Sequence, residues 1–440
     1  MASKVEKKAF GLVSAVMLGI GSMVGAGIFI VIGQAGAIAG NIVWLSFVLG
    51  GVAALLSGYS LAKLALRYPS RGGIVEYLVQ GFGEGVFSGS ASVLFYFSQL
   101  VAIAAVAKSF GTYAATFTHA QNDAFTVNLY ALGIVAFFTL VNLVGASIVA
   151  KSENIIVAIK VTVLTVFTVA ALFTIDPANL SVAKMPPIRD MLFAVGLTFF
   201  AYQGFSVITN TVEDMENPVK TMMRAMTIAI VSVGILYVLT AVAVLGNLSL
   251  DEVIRTKDYA LAEAAKPIFG VWGFKIMAAT ALLATASAIN ATLYATAEIG
   301  YTMAKEGDLP EVYSYNVFHS FEGLVISALL IVPLVLFFNL SEVTTVAALS
   351  VLIVQGLTHV GHLLRIKETR ANRWIVSMAA LAMFTIVGLT LIYNSRHDPM
   401  IGYYLLGAFA LAFAVEIGLR LTTKRVVSRQ IVDLFNFKRV

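Results

Sequence analysis

Cysteine is absent from this 440-residue chain, so no disulfide, thiol nucleophile or thiolate metal site can be built from it. Charge is almost as scarce. Asp, Glu, Lys and Arg make up 12% of the residues, against about 25% in an ordinary soluble domain, while 59% are hydrophobic. A water-facing surface cannot be assembled from that composition, which leaves lipid as the outer solvent. The 5 histidines are scattered and no His-Glu-x-x-His occurs. No pair of Asp residues falls inside an apolar run, so the parts of an embedded hydrolase are missing. His359 and His362 have the i, i+3 spacing of half a metal pair, but no third ligand lies near them in sequence.

What the chain has is apolar runs, each long enough to cross a hydrocarbon core of roughly 30 Å as a helix with its backbone bonded internally. Twelve are expected, over 10–38, 41–66, 85–117, 125–146, 152–175, 191–213, 224–247, 268–304, 321–338, 342–364, 374–394 and 400–421. The gaps are too short for a separate soluble domain, so 1–440 reads as a single multi-pass, all-α membrane unit. Lys and Arg settle the expected orientation. With both termini cytoplasmic, 20 of the 29 basic residues fall on the inner side, 7 on the outer, and Lys108 and Lys160 within spans. The net charge of +5 then follows from topology and anionic lipid, with no nucleic-acid partner required.

Glycine is concentrated where a helix should least want it. The first run contains Gly19-Ile20-Gly21-Ser22-Met23-Val24-Gly25-Ala26-Gly27-Ile28-Phe29, about halfway across the bilayer. Each glycine weakens a helix by about 1 kcal/mol relative to alanine, so unwinding is cheap there. The sixth run carries Phe199-Phe200-Ala201-Tyr202-Gln203-Gly204-Phe205-Ser206 at similar depth. Two discontinuous helices at one level would bare N–H groups at one half-helix start and C=O groups at another half-helix end. That makes a carboxylate site and an ammonium site without a charged side chain. The same glycines also suit close helix packing, since Gly21 and Gly25 have the small-xxx-small spacing. Both readings stand at this level.

The interruptions open two halves of five runs each, 10–175 and 191–364, and an odd number per half makes the second enter the membrane from the opposite side. An inverted five-plus-five repeat is therefore expected, with 374–421 as two additional helices.

Four motifs now carry a family resemblance: Gly21 to Phe29, Tyr68-Pro69-Ser70-Arg71-Gly72-Gly73, Glu213-Asp214-Met215-Glu216-Asn217-Pro218 and Gly307-Asp308-Leu309-Pro310. In this order and spacing the chain resembles the amino acid, polyamine and organocation transporter superfamily, and within it proton-coupled, broad-specificity amino acid transporters. The resemblance implies alternating-access transport of amino acids across the cell membrane, with a proton as coupling ion and no other cofactor. It implies that N–H groups of Gly25, Ala26 and Gly27 hold the substrate carboxylate, with Val24 and Gly204 beside them. Carbonyls near Ile20, Phe200 and Ala201 would take the amine, and Phe200 and Tyr202 would be aromatic gates, although packing aromatics are the competing account. Ser287 and Asn290 are further contact candidates. Exchange, sodium coupling and a sensing role are the alternatives; the lack of an acidic side chain at the breaks argues against polyamines.

Lys160 lies about eight residues into the fifth run, where a charge costs at least roughly 2.5 kcal/mol. Snorkelling to the headgroups is one explanation. The resemblance gives another, in which the ammonium stands where sodium-coupled relatives hold an ion. It would bond the Gly21 carbonyl and the Ser287 hydroxyl, clamping the broken helix until the proton leaves. Lys108 and Glu416 are expected to reach the interfaces.

Overall fold

A computed structural model describes residues 11–25, 27–70, 72–144, 147–181, 185–318 and 320–422. The chain is all-α apart from a two-residue strand pair, Asn316–Val317 with Ser320–Phe321. The first expected span is two helices, α1 (Leu12–Met23) and α2 (Gly27–Ala39). A short turn leads to α3 (Val43–Arg67), α4 (Ile74–Phe82), α5 (Val86–Thr116), α6 (Ala124–Val144) and α7 (Ser147–Leu172). The sixth span is α8 (Ile188–Phe193) and α9 (Val195–Tyr202), followed by a tighter 3₁₀ segment, Gln203–Asp214.

After this come α10 (Pro218–Asn247), the short α11 (Leu250–Arg255) and α12 (Ala260–Glu263), and α13 (Lys266–Glu306), kinked at Gly270. The chain continues through α14 (Glu322–Phe337), α15 (Leu340–Leu364), the single-turn α16 (Ile366–Thr369), α17 (Arg373–His397) and α18 (Met400–Thr422). Local chemistry sets several ends. Pro218 opens α10, where its missing N–H costs nothing. Asn339 and Glu342 form a reciprocal cap on α15. Gly307 ends α13 in the left-handed region, at φ 80°.

Each of the twelve expected spans falls on helix. Among the described residues, ten stretches are long and apolar enough to cross a membrane, with 27–67 counted as one; Leu12–Met23 and Glu322–Phe337 are shorter apolar helices. The burial pattern is that of a protein dissolved in lipid. Helices α5 and α15 are enclosed almost all round, whereas α6, α7, α17 and α18 turn large apolar side chains such as Phe125, Phe137, Val166, Trp374 and Leu421 outward. Two charges expected at interfaces are instead interior. Lys108 is buried and donates to Asn128 at 2.9 Å, and Glu416 is fully buried and paired with Arg420 one turn along α18. A partner within reach made burial less costly than snorkelling in both cases.

Candidate functional site

The two interruptions meet. Helix α1 ends at Met23 and α2 begins at Gly27. A Cβ on Gly27 would stand 2.6 Å from the Ala201 carbonyl oxygen, and one on Gly204 would stand 2.4 Å from the Ser22 carbonyl carbon and 2.5 Å from the Met23 nitrogen. Only glycine lets backbone approach backbone this closely, and it does so from both sides of the contact. Gly25 lies against Ala288 of α13.

Span six differs in form from the expected unwinding. It does not lose helical structure at Phe199–Ser206; it tightens from α-helix into twelve residues of 3₁₀-helix at Gln203. Runs beyond three or four residues are uncommon for this geometry and often mark a hinge. Its side chains support the tighter winding: the hydroxyls of Ser206, Thr209 and Thr211 each donate to the carbonyl three residues before them.

Polarity at the contact follows from helix direction. The start of α2 presents N–H groups that have no partner four residues earlier, and the end of α1 presents carbonyls. The Ile20 carbonyl, expected to take an amine, accepts the Val24 N–H at 2.8 Å. The Met23 carbonyl is held by Tyr237 of α10, whose hydroxyl donates at 2.6 Å and lies 3.3 Å from the Ala201 carbonyl. Tyr237 is fully buried and bridges the C-terminal ends of α1 and α9, a role the sequence did not signal. Tyr237 is one of several polar residues along α10, and nothing in its sequence setting singles it out.

The remaining expected residues divide. Val24, Gly25 and Ala201 are buried at the contact, and Phe200 is buried on α9; Ala26 lies outside the described residues. Tyr202 is placed differently from a gate. Its ring leans on Tyr237 at 5.2 Å and its hydroxyl donates to the Phe47 carbonyl at 2.9 Å, so it ties α9 to α3. Asn290 of α13 accepts from Asn142 of α6 at 2.9 Å.

Lys160 is fully buried on α7, and its Nζ donates to the Gly21 carbonyl at 2.8 Å. The two helices touch there, with Val157 in the space a Cβ on Gly21 would fill. The expected Ser287 partner is otherwise engaged: its hydroxyl donates to Glu153 at 2.6 Å, two turns below Lys160 on α7. His359 and His362 bond serine and threonine hydroxyls, and among the described residues no three His, Asp or Glu are placed to hold a metal.

Two cavities flank this centre. One of 340 Å³ between α3 and α10 is lined by apolar side chains such as Val48, Val52 and Ile235, with nothing to hold a charged ligand. The other, of 260 Å³, lies beyond the C-terminal half of α2 and has polar walls that include Gln34, Lys257, Asn394 and Asp398.

Residues 10–415 match the amino acid permease family. The chain belongs to that family. The permease is 38% identical over 348 residues to the inner membrane transport protein YbaT of Escherichia coli, covering 79% of this chain and 81% of that one. It is 34% identical over 427 residues to an uncharacterized protein of Methanocaldococcus jannaschii, covering 97% and 98%. The serine/threonine exchanger SteT of Bacillus subtilis is 27% identical over 312 residues, covering 69% of this chain and 70% of that one. These relatives are transport proteins by name where they carry one, and the permease is a multi-pass membrane protein of the same kind.

Proposed function

We propose that this permease is a proton-coupled symporter of neutral amino acids, working by alternating access with twelve crossings, an inverted repeat of 10–175 and 191–364, and both termini cytoplasmic at the cell membrane. The substrate sits where the two interruptions meet. Its carboxylate takes the N–H groups at the start of α2, and its ammonium takes the carbonyls at the ends of α1 and α9. Tyr237 holds those carbonyls when no amine is bound, and its hydroxyl rotates to release them. The polar cavity beside α2 is the outer approach.

The observation that carries this reading is the pairing of Gly27 with Ala201 and of Gly204 with Ser22, with Lys160 fastened to the Gly21 carbonyl beside it. An ammonium in that position clamps α1 to α7 while it keeps its proton. Losing the proton removes two things at once, the charge and one donor, and frees α1 to swing. In proteoliposomes, an inward proton gradient is expected to drive accumulation of radiolabelled L-alanine or L-serine. Lys160→Ala should abolish the response to the gradient and leave counterflow of label against unlabelled amino acid. Gradient-driven uptake that survives in Lys160→Ala would refute coupling through Lys160. The name of the exchanger relative favours a second reading, obligatory exchange, which predicts counterflow without any gradient response in the unmodified permease.

A further inference from the structure

A chain of six hydrogen bonds runs through the interior between α3 and α15 and ends beside the proposed substrate site. Thr369 meets His362 Nε2 at 2.8 Å, His362 Nδ1 meets Ser60 at 2.7 Å, Ser60 meets His359 Nδ1 at 2.9 Å and His359 Nε2 meets Ser57 at 2.9 Å. Ser57 then donates to Gln355 Oε1 at 2.8 Å, and Gln355 Nε2 donates to Gln203 Oε1 at 2.9 Å. Both histidines, both serines and Gln355 are fully buried. One end is on α16 beside the basic loops; the other is Gln203, the residue at which span six tightens.

The bonds have one direction. Because Ser57 gives its proton to Gln355, it must accept from His359 Nε2–H, which leaves His359 Nδ1 to accept from Ser60. Ser60 then accepts from His362 Nδ1–H, and His362 Nε2 accepts from Thr369. Every ring and hydroxyl donor in the chain is used and both rings are neutral. We infer that this pair of histidines is a second proton-binding site, entered from the basic face of the membrane, and that proton uptake there unlatches the 3₁₀ segment of span six from α3 and α15.

The proton balance is simple. One proton arrives at His362 Nε2 as the Thr369 hydroxyl turns to the Ile366 carbonyl, 3.2 Å away. His362 passes its Nδ1 proton to Ser60, Ser60 passes its own to His359 Nδ1, and His359 becomes the imidazolium. His362 is left neutral with its proton on Nε2. The charge is then stranded. Lys63 of α3 and the second ring, linked through Ser60, bring no negative charge to it. Glu368 is taken by Tyr68 and Arg365, with Arg67 3.8 Å away, at the surface end. On α4, Glu76 accepts from Gln80, and Tyr77 is neutral and buried; on α18, Glu416 is paired with Arg420. Arg373 at the start of α17 and Lys367 on α16 add only positive charge, and α9 carries no ionisable group but Tyr202. Glu213 and Asp214 stand at the far end of the 3₁₀ segment from Gln203, and on α5 Lys108 is held by Asn128. A cation buried among hydroxyls is relieved by admitting water, which requires α3 and the Gln203 end of span six to part from α15.

As a control on the transport path this rests on the reading above, but it is measured without transport. The chain has no cysteine, so Glu216→Cys just past the 3₁₀ segment takes a single bimane label. In detergent micelles its emission should change sigmoidally as pH falls from about 8 to about 4, a window that spans the roughly pH 5–8 range of ordinary histidines and extends to its acid side. His359→Gln and His362→Gln should each abolish that change, and His119→Gln, at an exposed histidine, should keep it. Should the histidine variants fail to fold, Gln355→Leu cuts the far end of the chain and should also silence the label. Ring ¹³C resonances of the unmodified chain give an independent check. A bimane response that persists in both histidine variants or in Gln355→Leu, a flat response in the folded parent, or two rings that stay neutral to about pH 4 would each overturn the proposal. A permease that transports no amino acid yet shows the expected bimane pattern would sink the transport reading and keep the latch.

Discussion

Single atoms decide whether the centre holds. Tyr237 supplies one hydroxyl to two carbonyls, and removing it leaves the Met23 carbonyl buried without its donor. Tyr237→Phe is expected to cost about 1–3 kcal/mol of stability, seen as a lower unfolding midpoint. It should also change amino acid affinity in the same protein, because the competitor for the ammonium is gone. Gly27→Ala asks for a methyl group 2.6 Å from the Ala201 oxygen. Backbone cannot yield as a flexible side chain does, so radiolabelled uptake should fall at least about tenfold, with the variant still running as one species on size exclusion. Glycines 25 and 27 were legible in the sequence as weak points. Tyr237 was not, because nothing in the order of residues shows which of 16 tyrosines will end opposite a bared carbonyl.

Helical elements carry the next layer. The end of α3 is fastened to α16 through Glu368, which accepts from Tyr68 at 2.7 Å and from Arg365 at 3.3 Å. Those bonds, with Tyr68 foremost, hold the Glu368 carboxyl below its ordinary range, while burial and the carboxylate push the Tyr68 phenol up to about 12. A carboxyl depressed in the folded state stabilises above its unfolded pKa and loses that contribution as pH falls through the folded value. The unfolding midpoint of Tyr68→Phe should therefore lie below that of the parent near pH 6, with the gap closing as pH falls from about 5 to about 3. Span six gives the clearest contrast between pattern and form. Its position and its weak point at Phe199–Ser206 were readable from composition, yet the outcome is a 3₁₀ segment because serine and threonine hydroxyls three residues apart satisfy the tighter turn.

At the scale of the whole molecule, ligand binding and folding are one equilibrium. An amino acid that fills the contact between the interruptions at 100 times its dissociation constant adds about 2.7 kcal/mol to stability, so a thermal screen of the twenty amino acids should raise the midpoint for substrates alone. Gly27→Ala should remove the shift. The sequence by itself determined the solvent, the order of the helices, and where along the chain both weak points fall. Those follow from transfer free energies and backbone propensities, which are summed along the chain and need no knowledge of neighbours. Only the tertiary structure decided the partners. It gave Ser287 to Glu153 rather than to Lys160, turned Tyr202 onto α3, and enclosed Lys108 and Glu416. Hydrogen bonds act over about 3 Å, and which groups come within that distance is set by how helices far apart in sequence pack, not by what either helix contains.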